Sequence, residues 1–83
     1  MTWQVIWSEK SVNQLKRMDK KTARKIYDSV LDCSQEPFSA VTRLANSSFY
    51  RMRVGNYRVI LDIRQKKMII FVVTAEHRKR VYD

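Results

Sequence analysis

Residues 49–63 read FYRMRVGNYRVILDI, and this stretch decides the fold. Apolar and polar side chains alternate on both sides of Gly55-Asn56, which is the pattern of two half-buried strands joined by a tight hairpin. The only glycine of the chain lies at this turn, where the backbone needs a positive φ. We therefore predict antiparallel strands over residues 49–54 and 57–63.

A two-residue turn also fixes the register of this hairpin. Arg53 then faces Arg58, and Arg51 faces Ile60, so alternation places three arginines on one face. The opposite face, which we assign to the helices, carries Tyr50, Met52, Val54, Tyr57, Val59, Leu61 and Ile63. Opposed like charges destabilise a strand pair by about 0.2–1 kcal/mol, so folding gives no reason for the arginines. A bound anion gives one.

The remaining elements predict an α+β domain. A short strand over residues 3–7 precedes a helix capped by Ser8, and a second helix capped by Asp19 ends before Pro37. The apolar stripe of the second helix consists of Ala23, Ile26, Tyr27, Val30 and Leu31. Residues 35–48 are predicted to form a loop and residues 68–74 a last strand. We expect one domain over residues 1–83, β-α-α-β-β-β, with two helices packed on one face of a mainly antiparallel four-stranded sheet.

Composition excludes several classes of protein. Hydrophobic residues make up 45% of the chain and charged residues 30%, as in folded domains. The longest apolar run, residues 68–73, is too short to span a bilayer, and the N-terminus carries no export signal, so we expect a cytoplasmic protein. A lone Cys33 excludes a disulfide framework and is expected to be a small buried apolar residue.

Charge is concentrated in the second half of the chain. The total is +9, and residues 42–83 carry ten basic and three acidic side chains, net +7. Such a field favours a polyanion or an acidic protein partner.

The C-terminal segment, residues 75–82, is expected to lie beside the arginines of the hairpin. If Ile63 pairs with Met68, Val73 lies beside Arg58 and residues 75–78 pass the Gly55 end of the hairpin. His77, Arg78 and Tyr82 then reach the arginine cluster. Guanidiniums, an imidazole and a phenol suit a phosphodiester with its bases. The sequence has no paired carboxylates, metal-ligand cluster, Gly-rich phosphate loop or Ser-His-Asp set, so we expect no metal and no cofactor.

Residues 49–60 and the segment HRKRVY at 77–82 together resemble the RelE family of toxins, within the RelE/ParE superfamily of type II toxin–antitoxin systems. The resemblance extends over the whole chain, although the first 45 residues match only in pattern. It implies a metal-independent endoribonuclease that cuts mRNA in the ribosomal A site by attack of a ribose 2′-OH. It also implies three partners: mRNA, a 70S-type ribosome and an inhibitory RelB-like antitoxin.

The resemblance also assigns roles to residues. Arg58 and Arg78 match the phosphate-holding arginines of the family, and Tyr82 matches its C-terminal tyrosine, which stacks on the RNA. Arg51 and Arg53 stand where the best-studied form has lysines. A guanidinium with a pKa above about 12 is a poor base, which leaves His77 as the one ordinary titrating base for acid–base duty.

Basic residues elsewhere suit docking on RNA, although a solvated charged face explains each of them equally well. The candidates are Lys10, Arg17, Lys21, Lys25 and Arg80. Two other functions remain open: a ParE-like toxin that inhibits DNA gyrase by binding, and a basic RNA-binding relative without catalysis.

Overall fold

The structure of the chain is a computed structural model, which describes residues 2–77. Its elements are β1 (Gln4–Trp7), α1 (Glu9–Arg17), α2 (Lys20–Cys33), β2 (Thr42–Arg43), β3 (Phe49–Val54), β4 (Tyr57–Arg64), a 3-10 turn (Gln65–Lys67) and β5 (Ile69–His77). The sheet has the order β1-β5-β4-β3-β2. Among these five strands, β1 is parallel to β5, and the other pairs are antiparallel. The α+β class is therefore confirmed.

Within residues 2–77 the sheet has five strands, so the predicted count of four is wrong. The additional strand, β2, lies in the stretch 35–48 for which the sequence predicts a loop. Thr42 pairs with Arg51 and Arg43 with Tyr50 at the edge of the sheet. Two residues are too few to show alternation, so this strand depends on β3 for its conformation.

Both predicted helix caps are confirmed. Ser8 Oγ accepts a hydrogen bond from the backbone N–H of Ser11 at 3.0 Å, and Asp19 Oδ2 accepts one from that of Thr22 at 3.2 Å. Hydrogen bonds from Thr22 hold the pKa of Asp19 below its usual range. Each cap satisfies an N–H group that the first turn of a helix leaves without a partner.

The core lies between α2 and the sheet. Ile26, Val30 and Cys33 of α2 are buried, as predicted for Cys33, and burial raises the pKa of its thiol. The buried sheet residues include five of the predicted face, namely Met52, Val54, Val59, Leu61 and Ile63. Tyr50 and Tyr57 pack against them at the margin.

The predicted apolar stripe of α2 includes two residues that are not buried against the core. Tyr27 and Leu31 are 43% and 38% exposed, so only the spacing i, i+4, i+7 of Ile26, Val30 and Cys33 faces the core. Tyr27 instead stacks on Trp7, with ring centroids 5.7 Å apart.

The register predicted for the last strand is wrong. Met68 adopts a left-handed conformation after the 3-10 turn, which makes the connection longer than assumed. Ile63 therefore pairs with Ile70 rather than Met68, and a bulge near Val73 adds one further residue. The strand also continues to His77, beyond the predicted end at residue 74.

Among the described residues, no helix has both the length and the apolar character needed to cross a membrane.

Candidate nucleic-acid interface

Three arginines share the face of the sheet that the helices leave open, which we call the arginine face (Arg51, Arg53 and Arg58). On β3, Arg51 and Arg53 alternate with the buried Met52 and Val54, so their side chains point away from the core. Arg53 is directly opposite Arg58, and Arg51 is opposite Ile60. The hairpin register predicted from the single glycine is therefore confirmed, and Gly55 has the positive φ of +57° that the turn requires.

No carboxylate of residues 2–77 neutralises these guanidiniums. The ion pairs in this part of the chain are Lys10–Glu76, Arg24–Asp28 and Arg64–Asp62. Arg58 Nε is moreover buried, and no described residue accepts a hydrogen bond from it. A buried donor without a partner costs about 1–3 kcal/mol, so this arginine, like the opposed pair, does not favour folding.

The corrected register brings a different residue to Arg58. Glu76, not Val73, is its neighbour on β5, and its side chain lies on the arginine face. Glu76 Oε1 accepts a hydrogen bond from Thr74 Oγ1 at 3.2 Å and lies 4.0 Å from Lys10 Nζ. A carboxylate thus stands beside the guanidiniums without being paired to any of them.

Helix α1 supports this end of β5. Once β1 has ended at Trp7, the edge of β5 is covered by α1, where Gln14 Oε1 accepts from the Ala75 N–H at 2.7 Å. Gln14 Nε2 also donates to Thr74 Oγ1 at 2.9 Å. The side chain of Gln14 therefore fixes the strand that carries Glu76.

His77 does not point toward the arginines, contrary to the predicted register. It is opposite Tyr57, and alternation puts both side chains on the helix side of the sheet. Their rings make an edge contact, with centroids 5.1 Å apart. The acid–base role predicted for His77 stays a prediction.

Two clefts adjoin this ring pair at the Gly55 end of the sheet. The larger, about 720 Å³, lies against the end of α1 and is lined by Gln14, Arg17, Met18, Tyr57, Ala75, Glu76 and His77. The smaller, about 390 Å³, lies against α2 and is lined by Thr22, Lys25, Ile26, Val54, Gly55, Asn56, Tyr57 and His77. Arg17 and Lys25 therefore flank the rings with positive charge.

The other predicted RNA contacts divide into three groups. Lys10 Nζ lies 4.0 Å from Glu76 Oε1, at the side of the arginine face. Lys21 is exposed on α2 and lines neither cleft. Arg78, Arg80 and Tyr82 lie outside the described residues.

A second carboxylate on the open face has a structural role. Asp62 is 8% exposed and accepts hydrogen bonds from Ser48 at 2.6 Å and from Arg64 Nε and Nη2 at 3.0 Å. Burial acts to raise the pKa of Asp62, but the hydrogen bonds from Arg64 and Ser48 and the charge of Arg64 outweigh it and hold the pKa below its usual range. Arg64 thus pairs its charge and its N–H donors with the carboxylate of Asp62.

Comparison with protein families decides the identity of the domain. A family model described as the ParE toxin of type II toxin–antitoxin system, parDE, matches residues 5–82. The chain belongs to this family. It is a toxin of a type II toxin–antitoxin system in the RelE/ParE superfamily, as the resemblance indicated.

Solved structures confirm the fold of the toxin. A RelBE toxin–antitoxin complex from Mycobacterium tuberculosis is 17% identical, with a TM-score of 0.82 over 94% of this chain and 100% of that one. An archaeal RelE–RelB complex from Pyrococcus horikoshii is 24% identical, with a TM-score of 0.81 over 96% and 99%. A mutant of Escherichia coli toxin RelE in the free state is 12% identical, with a TM-score of 0.80 over 99% and 90%. A search of curated proteins found no match.

Sequence reasoning missed Glu76 and Gln14. Glu76 reaches the face of Arg58 because the bulge near Val73 shifts the alternation of β5 by one residue, and no local sequence pattern signals that bulge. No sequence signal pointed to Gln14, because its partners on β5 are about sixty residues away.

Proposed function

We propose that this toxin is a ribosome-dependent endoribonuclease that cleaves mRNA in the ribosomal A site. The observation that carries the proposal is the arginine face, where Arg51, Arg53 and Arg58 converge without carboxylate partners. Folding alone disfavours this arrangement, whereas a phosphodiester with developing negative charge favours it.

The chemistry is metal-independent attack of a ribose 2′-oxygen on the adjacent phosphorus. The guanidiniums bind the phosphate oxygens and stabilise the extra charge of the pentacoordinate phosphorane. Arg58 is proposed for the central position, because it lies directly opposite Arg53 and so brings two guanidiniums to one phosphate. Arg78 and Tyr82 are proposed to complete the site, as the family resemblance implies.

Pulsed expression in growing bacteria tests the proposal. We expect growth arrest with new mRNA 5′ ends that carry hydroxyl groups and fall at a fixed position within codons on translating ribosomes. Since attack needs the 2′-OH, a message with a 2′-O-methyl group at the cut ribose should resist cleavage. Growth arrest with intact mRNA on the ribosomes would contradict the proposal.

The proposed inhibitor is an acidic, amphipathic, RelB-like antitoxin. The solved relatives include toxins in complex with RelB. On this chain, an apolar groove lined by Trp7, Val12, Leu15, Lys16 and Tyr27 adjoins the basic surfaces of α1 and α2. Co-expression of the adjacently encoded protein should restore growth, and failure of that protein to bind would contradict this assignment.

A second function is favoured by the family description. ParE-type toxins are represented by the matching family model, so inhibition of DNA gyrase is the alternative. It predicts DNA damage with intact mRNA, and it does not require Arg51, Arg53 and Arg58 to act together.

A further inference from the structure

The proposed reaction needs a group that accepts the proton of the 2′-OH. A guanidinium is a poor proton acceptor, so the arginine face does not supply this group. His77 lies on the helix side of the sheet, against Tyr57. Among residues 2–77, the carboxylates on the open face are those of Asp62 and Glu76.

Only Glu76 is available for proton transfer. Both oxygens of Asp62 are engaged by Arg64, and Asp62 is buried. The side chain of Glu76 is 44% exposed, and its contacts with Thr74 and Lys10 both involve Oε1. Neither of these contacts uses Oε2.

The position of Glu76 also fits the reaction. Residues directly opposed in an antiparallel pair have Cβ atoms about 4.5–5.5 Å apart, so the side chains of Glu76 and Arg58 leave the sheet side by side on the same face. A phosphate bound by Arg58 places its neighbouring ribose within reach of the Glu76 carboxylate. Thr74 Oγ1 donates to the Glu76 carboxylate, and Gln14 on α1 in turn donates to Thr74 Oγ1.

From these contacts we propose that Glu76 is the general base of the cleavage reaction, which rests on the ribonuclease function proposed above. The Glu76 carboxylate takes the proton of the 2′-OH as the 2′-oxygen forms a bond to phosphorus. The bond from phosphorus to the 5′-oxygen then breaks, and water protonates the leaving oxygen. The products are a 2′,3′-cyclic phosphate and a 5′-hydroxyl end, and Glu76 returns its proton to solvent.

Single-turnover cleavage by purified full-length toxin on ribosomes programmed with a defined message tests this role. Glu76→Gln should lower the rate by about 10²- to 10⁴-fold, the usual contribution of general acid–base catalysis. Glu76→Asp should retain part of the rate, because it keeps a carboxylate. The matched control is Glu36→Gln, which removes one negative charge from an exposed loop residue and should leave the rate unchanged.

Two further measurements separate catalysis from positioning. Binding of a 2′-O-methyl message should be the same for wild type and Glu76→Gln, and formate should partly restore the rate of Glu76→Ala by supplying a carboxylate. A Glu76→Gln variant that cuts at the wild-type rate, or that loses binding, would overturn the role of Glu76 while leaving the ribonuclease function intact. If the wild-type toxin cuts no message, the proposed function itself fails, and Glu76 has no proton to accept.

Discussion

Arg53 and Arg58 are a pair of opposed like charges, which disfavours folding. Their Cα atoms are directly opposed on β3 and β4, and neither forms an ion pair with a carboxylate of residues 2–77. Replacing Arg53 with Thr should therefore raise the free energy of unfolding by about 0.2–1 kcal/mol at low salt, with a smaller gain at high salt. Arg51→Thr is the matched control, because Arg51 is opposite Ile60. Denaturant titrations of the two variants check this, and equal effects would contradict it.

Asp62 makes stability depend on pH at the residue scale. Its pKa is lowered in the folded state, so its contribution is present above the unfolded pKa of about 3.9 and is lost as pH falls through the folded value. Asp62→Asn should cost about 1–3 kcal/mol at pH 7, because Arg64 and Ser48 lose their charged acceptor. The difference from wild type should shrink below about pH 4. Exposed Asp32→Asn is the control, and a difference independent of pH would contradict this account.

At the scale of elements, Ser8 joins α1 to the sheet. Its hydroxyl accepts from Ser11 N–H and donates to the carbonyl of Val73 at 2.8 Å, beside the bulge in β5. Ser8→Ala should lower the free energy of unfolding by about 1–2 kcal/mol, since both bonds are removed. Ser29→Ala in the middle of α2 should have little effect. Equal stability of Ser8→Ala and wild type in thermal unfolding would show that neither bond contributes.

Elements whose pairing partner is close in the sequence could be predicted, and those whose pairing depends on a longer connection could not. The β3–β4 hairpin could be predicted with its register, because a turn of two residues leaves one pairing. The position of β5 could not, since Met68 and the bulge near Val73 together shift its pairing and leave no local sequence pattern. Because of that shift, Glu76 rather than Val73 lies opposite Arg58, and His77 points to the other face of the sheet.

For the whole molecule, the net charge of +9 predicts binding that depends on salt. Every phosphate of a single-stranded RNA that a variant no longer neutralises should reduce the slope of log K against log salt by about 0.7. Arg53→Gln should show this reduction with a 2′-O-methyl RNA, whereas Arg24→Gln should not, because Arg24 lies on α2 and pairs with Asp28. Equal slopes for the two variants would mean that bulk charge, rather than the arginine face, holds the RNA.

The role of the arginine face is tested by a time course of mRNA cleavage on programmed ribosomes with purified wild type, Arg58→Ala and Arg24→Ala. Circular dichroism first confirms that all three proteins are folded. Wild type and Arg24→Ala should cut the message within the A-site codon at the same rate, and Arg58→Ala should leave it intact. Cleavage by Arg58→Ala at the wild-type rate would contradict the claim that the arginine face is the site of the reaction.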